Sequence, residues 1–217
     1  MGAVLRNPKP WIALLCLLPL ARLIALGLGG DLGANPIEFI TRSTGTWTLV
    51  GLLVTLSVTP LRRLTGRADL VRYRRMLGLF AFFYASLHFA TYIWLDQFFD
   101  PAAIVRDIVK RPFITVGFSA FVLLIPLAAT STHAMMRRLG RRWQHLHRLV
   151  YAIALLGVIH YLWLVKKDLT EPLLYGGVLA LLLALRLPWG VAVLNAASTR
   201  WGRQVAGRKP DVAKSVG

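Results

Sequence analysis

The sequence predicts an all-α membrane protein, a six-transmembrane-helix bundle with both termini on the cytoplasmic side. Three observations predict it. Hydrophobic residues make up 56% of the 217 and charged residues only 16%, with a mean hydropathy of +0.58, a balance unsuited to water. Six stretches approach the ~20 apolar residues needed to cross a hydrocarbon core about 30 Å thick. The loops between them alternate in charge, and Lys and Arg close to the membrane mark the cytoplasmic side.

The first span runs roughly from Trp11 to Gly29. Arg6 and Lys9 before it imitate a signal peptide, but no small-residue cleavage site follows and five more spans do, so it reads as an uncleaved helix. The second runs from Thr46 to Pro60 and can extend backward through Ser43 to Gly45. The others run from Met76 to Leu95, Phe113 to Ala129, Leu149 to Val165 and Leu173 to Leu187. The second loop carries Arg62, Arg63, Arg67, Arg72, Arg74 and Arg75, and the fourth carries Arg137, Arg138, Arg141 and Arg142, with Arg148 just beyond. Arg200, Arg203, Arg208, Lys209 and Lys214 follow the last span. Acids collect in the first, third and fifth loops as Asp31 and Glu38, then Asp96, Asp100 and Asp107, then Asp168 and Glu171. Those loops are therefore expected outside. The chain divides into a cytoplasmic N-terminus at 1–10, a transmembrane domain at 11–189 and a basic cytoplasmic tail at 190–217.

The net charge of +17, from 26 Lys and Arg against nine Asp and Glu, is mainly this orientation signal rather than a nucleic-acid footprint. The single cysteine, Cys16, lies in an apolar run, which excludes an intrachain disulfide, a CxxCH haem attachment and any cysteine-based zinc or iron–sulfur centre. No GxGxxG loop, Walker A loop or nucleophile elbow is present.

Ionisable groups inside a span are functional candidates, which directs attention to the histidines. His88 lies 11 residues past Leu77 and His160 lies 11 past Leu149, so each sits ~16 Å into the core at one level of the outer half. Imidazole is a good iron ligand and apolar helix faces suit a macrocycle, so a b-type haem between the third and fifth spans is the economical reading. The alternative is that each histidine hydrogen-bonds a neighbouring helix. Phe80, Phe82, Phe83, Tyr84, Phe89, Tyr92 and Trp94 are candidates to wall a porphyrin, although such residues commonly serve packing alone. His147 stands 13 residues before His160, ~20 Å along an ideal helix but ~140° around it. A second haem level there would need tilt, a kink near Gly157 or a different neighbour, so the count stays at one or two. His133 and His145 lie in a basic loop and read as solvated. Most arginines are topogenic; Arg72, Arg74, Arg75 and Arg142 are candidates to bind haem propionates or a flavin phosphate through the guanidinium fork.

The chain resembles the MsrQ family, the haem-binding membrane subunits of bacterial methionine-sulfoxide reductase systems within the ferric-reductase-like transmembrane superfamily. The resemblance runs from about Ala34 to Trp189. It is carried by Thr59-Pro60-Leu61, Arg74-Arg75-Met76-Leu77-Gly78-Leu79, Ser86-Leu87-His88, Thr130-Ser131-Thr132 through Arg138-Leu139-Gly140, Arg142-Trp143-Gln144, Leu146-His147-Arg148-Leu149-Val150-Tyr151 and Ile159-His160-Tyr161-Leu162-Trp163. It implies a b-type cytochrome of the bacterial inner membrane. Such a protein takes electrons from the quinone pool, or from a cytoplasmic flavin reductase, and passes them to a periplasmic molybdenum-cofactor enzyme that reduces methionine sulfoxide in oxidised proteins. It further implies FMN and haem-iron ligation by His88, His147 and His160. The catalytic subunit is then a separate protein. The sequence lacks one histidine of the four-ligand arrangement of oxidase and ferric-reductase relatives, and their flavin and nucleotide module. A ferric- or metal-reductase-type electron carrier with another partner is the alternative. Neither inverted repeats nor an acidic pore speak for a transporter.

Overall fold

The computed structural model describes residues 8–206, and the side chains of 8–199. Arg6 and the basic Arg208, Lys209 and Lys214 lie outside the described residues. Those described form helices without strands, as required where lipid offers no hydrogen bonds to the backbone. Among the described residues, five helices or helix runs are long and apolar enough to cross a membrane, and a sixth crossing exists if one bent pair counts as a span.

Helix α1 (Lys9–Gly29) holds no buried residue, packs on the outside of the bundle and is hydrogen-bonded to it through one side chain. The Tyr84 hydroxyl donates to the Cys16 carbonyl at 2.8 Å and accepts from the Leu20 amide at 3.2 Å. It thus enters the helical ladder beside Pro19, where the ring has already removed one donor. Helix α2 (Pro36–Thr65) starts at Asn35, whose side chain accepts from the Glu38 amide, with Pro36 at the first turn where its missing N–H is harmless. It is longer than its apolar stretch suggested: it enters before Arg42 and ends at Gly66, whose φ of 68° closes it in the left-handed region.

Helix α3 (Val71–Thr91) continues into a π-helical turn at Tyr92–Asp96. It lies against α2 so closely that a Cβ on Gly51 would meet Ala81 at 3.1 Å, the small-residue contact that lets membrane helices approach. The third loop holds an element the hydropathy did not show, the ten-residue amphipathic helix α4 (Pro101–Lys110), capped by Asp100 through the amides of Ala102 and Ala103. Helix α5 (Pro112–Ala129) follows, then the short α6 (His133–Leu139) and α7 (Arg141–His147), and α8 (Leu149–Leu164). Helix α5 packs mainly on α8 as α2 packs mainly on α3. The buried core gathers Leu52, Leu56, Ala81, Leu124, Ile153 and Ala154 from these four helices and Leu179 from α9 (Thr170–Ala184).

The sixth span departs most from expectation. Helix α9 (Thr170–Ala184) stops short of Pro188, and α10 (Pro188–Ala206) leaves it at 83°. Arg186 sits at the bend. Its guanidinium donates to the Leu56 carbonyl at 2.6 Å and the Tyr151 hydroxyl at 3.0 Å, and lies 5.0 Å from the Tyr151 ring centre. Leu56 needs that partner because Pro60, four residues on, has no N–H to offer it. Arg186→Met is expected to cost about 1–3 kcal/mol by orphaning the carbonyl, read as a lower melting temperature in detergent. Adding Pro60→Ala should recover part of the loss by restoring the helical donor.

Candidate functional site

Two helical hairpins build the site, and each supplies one imidazole with its own support. On α3, His88 Nδ1–H donates to the carbonyl of Thr41 on α2 at 2.9 Å. On α8, His160 Nδ1–H donates to the carbonyl of Phe113 on α5 at 2.6 Å. Ring and carbonyl are 47 residues apart in both cases. One turn beyond each carbonyl stands a glycine against the same ring. A Cβ on Gly45 would come within 3.1 Å of His88, and one on Gly117 within 2.7 Å of His160. The glycines make the space and the carbonyls set the tautomer, so Nε2 of each ring keeps its lone pair.

The two ring centroids lie 6.1 Å apart with the ring planes at 74°. Two metal–imidazole bonds of about 2.0–2.1 Å, plus a little over 1 Å from each nitrogen to its ring centre, span about 6 Å. The pair therefore has the separation of two axial ligands on one metal ion. Around them lies a cavity of about 310 Å³, within the usual range of roughly 300–1,000 Å³ for small-molecule sites. Its lining is apolar in the middle, where Leu49, Ala85, Phe118, Leu124 and Ile153 converge. Phe89 closes one side against Phe121 at 4.7 Å. Of the aromatics expected as walls, Phe89 and Tyr92 reach the lining; Phe80, Phe82, Phe83, Tyr84 and Trp94 do not.

His147 is separate from this pair. It ends α7, and after the single residue Arg148, itself in helical conformation, α8 carries the run on as one 24-residue span. Its Nδ1 donates to the Trp143 carbonyl at 3.1 Å and its ring stacks on Trp143 at 3.8 Å, while the indole N–H is held by the Thr130 carbonyl. Nε2 is buried with no hydrogen-bond partner. His133 and His145 are exposed, and His145 bonds only the carbonyl one turn back. Arg72 pairs with Asp69 at 3.7 Å and lies over the Tyr73 ring. Arg74 and Arg75 are half-buried near the start of α3, and Arg142 is exposed. All four lie at the arginine-rich end, away from the His88–His160 cavity.

The family of ferric reductase like transmembrane components matches residues 43–158, which takes in His88 and His147 and stops just short of His160. A protein of Bordetella pertussis is 61% identical over 181 residues, covering 82% of this chain and 88% of its own length. Relatives in Herminiimonas arsenicoxydans and Rhodospirillum rubrum are 59% and 60% identical, covering 83% and 79% of this chain and 84% and 83% of their own lengths. Each is named protein-methionine-sulfoxide reductase heme-binding subunit MsrQ. The chain belongs to the MsrQ family. No solved structure matches it. Membership in the MsrQ family and the ferric-reductase-like domain agree with a multi-pass bacterial membrane protein.

The equal spacing of the two MsrQ half-sites was present in the sequence but invisible to a search for motifs, since Thr41 and Phe113 act through backbone oxygens. Gly45 and Gly117 could have been found only by aligning the two hairpins on their histidines, 72 positions apart. Arg42 and Arg111, which line the cavity with Tyr92, belong to no motif that sets them apart in the sequence.

Proposed function

We propose that this chain is the electron-transfer subunit of a methionine-sulfoxide reductase system, holding a b-type haem between His88 and His160. The observation that carries the reading is the 6.1 Å ring separation with each Nδ1 already tied to a carbonyl. Bound there, the haem supplies one-electron exchange between ferric and ferrous iron, with no bond made to substrate. His88 and His160 would hold it through their Nε2 atoms, and Leu49, Phe89 and Phe121 exclude water. The carbonyls of Thr41 and Phe113 raise the ligands' basicity. No residue near the pair is arranged to act on a sulfoxide, so that chemistry belongs to a separate catalytic subunit, a periplasmic molybdenum-cofactor enzyme.

The orientation we propose is N-in and C-in, with the acidic-loop end and the cavity rim toward the periplasm of a bacterial inner membrane. Electrons then enter at the arginine-rich end, from the quinone pool or a cytoplasmic flavin reductase. There His147, with a buried and unpartnered Nε2, is the ligand available to a second, inner haem. Arg72, Arg74, Arg75 and Arg142 are the cations available to that haem's propionates or to the phosphate of FMN.

The test is the optical spectrum and haem-to-protein ratio of the purified chain. A Soret band with reducible b-type bands is expected; their absence would overturn the cytochrome reading. His147→Ala should leave the low-spin spectrum of the outer haem intact. If the inner haem is present it should lower the haem ratio by about one, and a wild-type ratio with wild-type electron transfer removes His147 from the path.

A further inference from the structure

We infer that Arg42, Arg111 and Tyr92 form a carboxylate clamp at the acidic-loop rim of the cavity, where they bind the two propionates of the haem and turn that edge outward. The inference rests on the haem reading above. Its first support is the lining itself, in which these two guanidiniums are the only Lys or Arg groups. Arg42 directly follows Thr41 and Arg111 stands two residues before Phe113, so each imidazole's supporting strut carries one cation on the same side of the pair.

Both guanidiniums are positioned yet retain donors. Arg42 spends Nη2 on Glu38 at 2.7 Å, and Arg111 spends Nε on Asp107 at 3.4 Å. Asp107 is itself held by the Gln97 amide at 3.1 Å. Arg111 thus keeps both Nη groups and Arg42 keeps Nη1 and Nε, and a carboxylate accepts from two such donors at once. Asp96 also lines the rim and is exposed, so the propionates enter a mixed field and depend on direct donors rather than on general positive charge.

The second support is independent. Tyr92 lines the cavity, and its hydroxyl is buried with no hydrogen-bond partner, an arrangement native proteins seldom leave without a ligand. It lies one turn past His88 at the start of the π-helical turn, a distortion common at functional sites. Asp96 and Arg111 line the cavity with it. The arginines of the other end cannot serve this haem: Arg75 lies 13 residues before His88, ~20 Å along the helix.

The experiment compares wild type, Tyr92→Phe and the Arg42→Gln/Arg111→Gln double variant as full-length proteins in detergent. It measures haem transfer to apomyoglobin, the midpoint potential by spectroelectrochemistry, and binding of haem b against its dimethyl ester. The double variant should release haem at least tenfold faster and show a lower potential, because the cations favour the more negative ferrous state. Tyr92→Phe should do the same to a smaller degree. Wild type should prefer haem b to the ester, and the double variant should hold both alike. Wild-type release and potential in both variants, or an undiminished preference for the free acid in the double variant, overturns the clamp. A wild-type protein without a bis-imidazole spectrum overturns the haem reading itself.

Discussion

Purified His160→Ala protein is expected to show no low-spin b-type spectrum from the outer site, and His88→Ala the same. His88 and His160 are the only histidines among the described residues that line the cavity, so either variant would leave a haem there with one imidazole. Losing even an outer-shell partner of a metal ligand costs about 10–100-fold in affinity, and loss of the ligand itself must exceed that. The measurement is the haem-to-protein ratio with the pyridine haemochrome spectrum. Folding is checked by gel filtration, because an alanine in this apolar cavity leaves no buried charge. A full haem complement in both variants would remove the pair from iron ligation.

The second large effect comes from residues without side chains. Gly117→Ala brings a Cβ to 2.7 Å from His160 Nδ1 and 2.8 Å from Cε1, closer than real contacts allow, on a ring whose Nδ1 is already fixed to Phe113. The ring must rotate and lose that bond, a cost of about 1–3 kcal/mol, or roughly 5- to 150-fold in haem affinity at about 1.4 kcal/mol per decade. Gly45→Ala meets His88 at 3.1 Å, where a few tenths of an ångström of adjustment suffice, so its effect should be clearly smaller. The ordering of the two alanine variants in haem release, with Gly117→Ala faster, checks the cradle; equal and unchanged rates would refute it.

Spans were legible because hydropathy and charge follow directly from the bilayer, and the matched depth of His88 and His160 follows from counting residues. The limits have equally specific causes. Helix α2 continues past Arg42 because an arginine near a membrane surface can extend its head to water, so charge misplaces the boundary. The bend before Pro188 was not read from the sequence, and only the acceptor left by Pro60 explains why Arg186 sits at it. Helix α4 hid in the third loop because ten residues of mixed character resemble a polar connection. The ring-to-carbonyl bonds were unreadable because a backbone oxygen has no residue signature, and Tyr92 read as one aromatic among seven until its hydroxyl was found without a partner.

The equal 47-residue closure of the two half-sites has a consequence for the timing of ligand organisation. Each ring is oriented by contacts within its own pair of helices, so its rotational freedom is surrendered when the polypeptide folds. An arriving iron need not immobilise either side chain, a saving of about 0.5–1.5 kcal/mol apiece. Rings anchored in this preorganised way would keep their places in either oxidation state of a haem iron held between them, and little nuclear rearrangement would then accompany electron exchange.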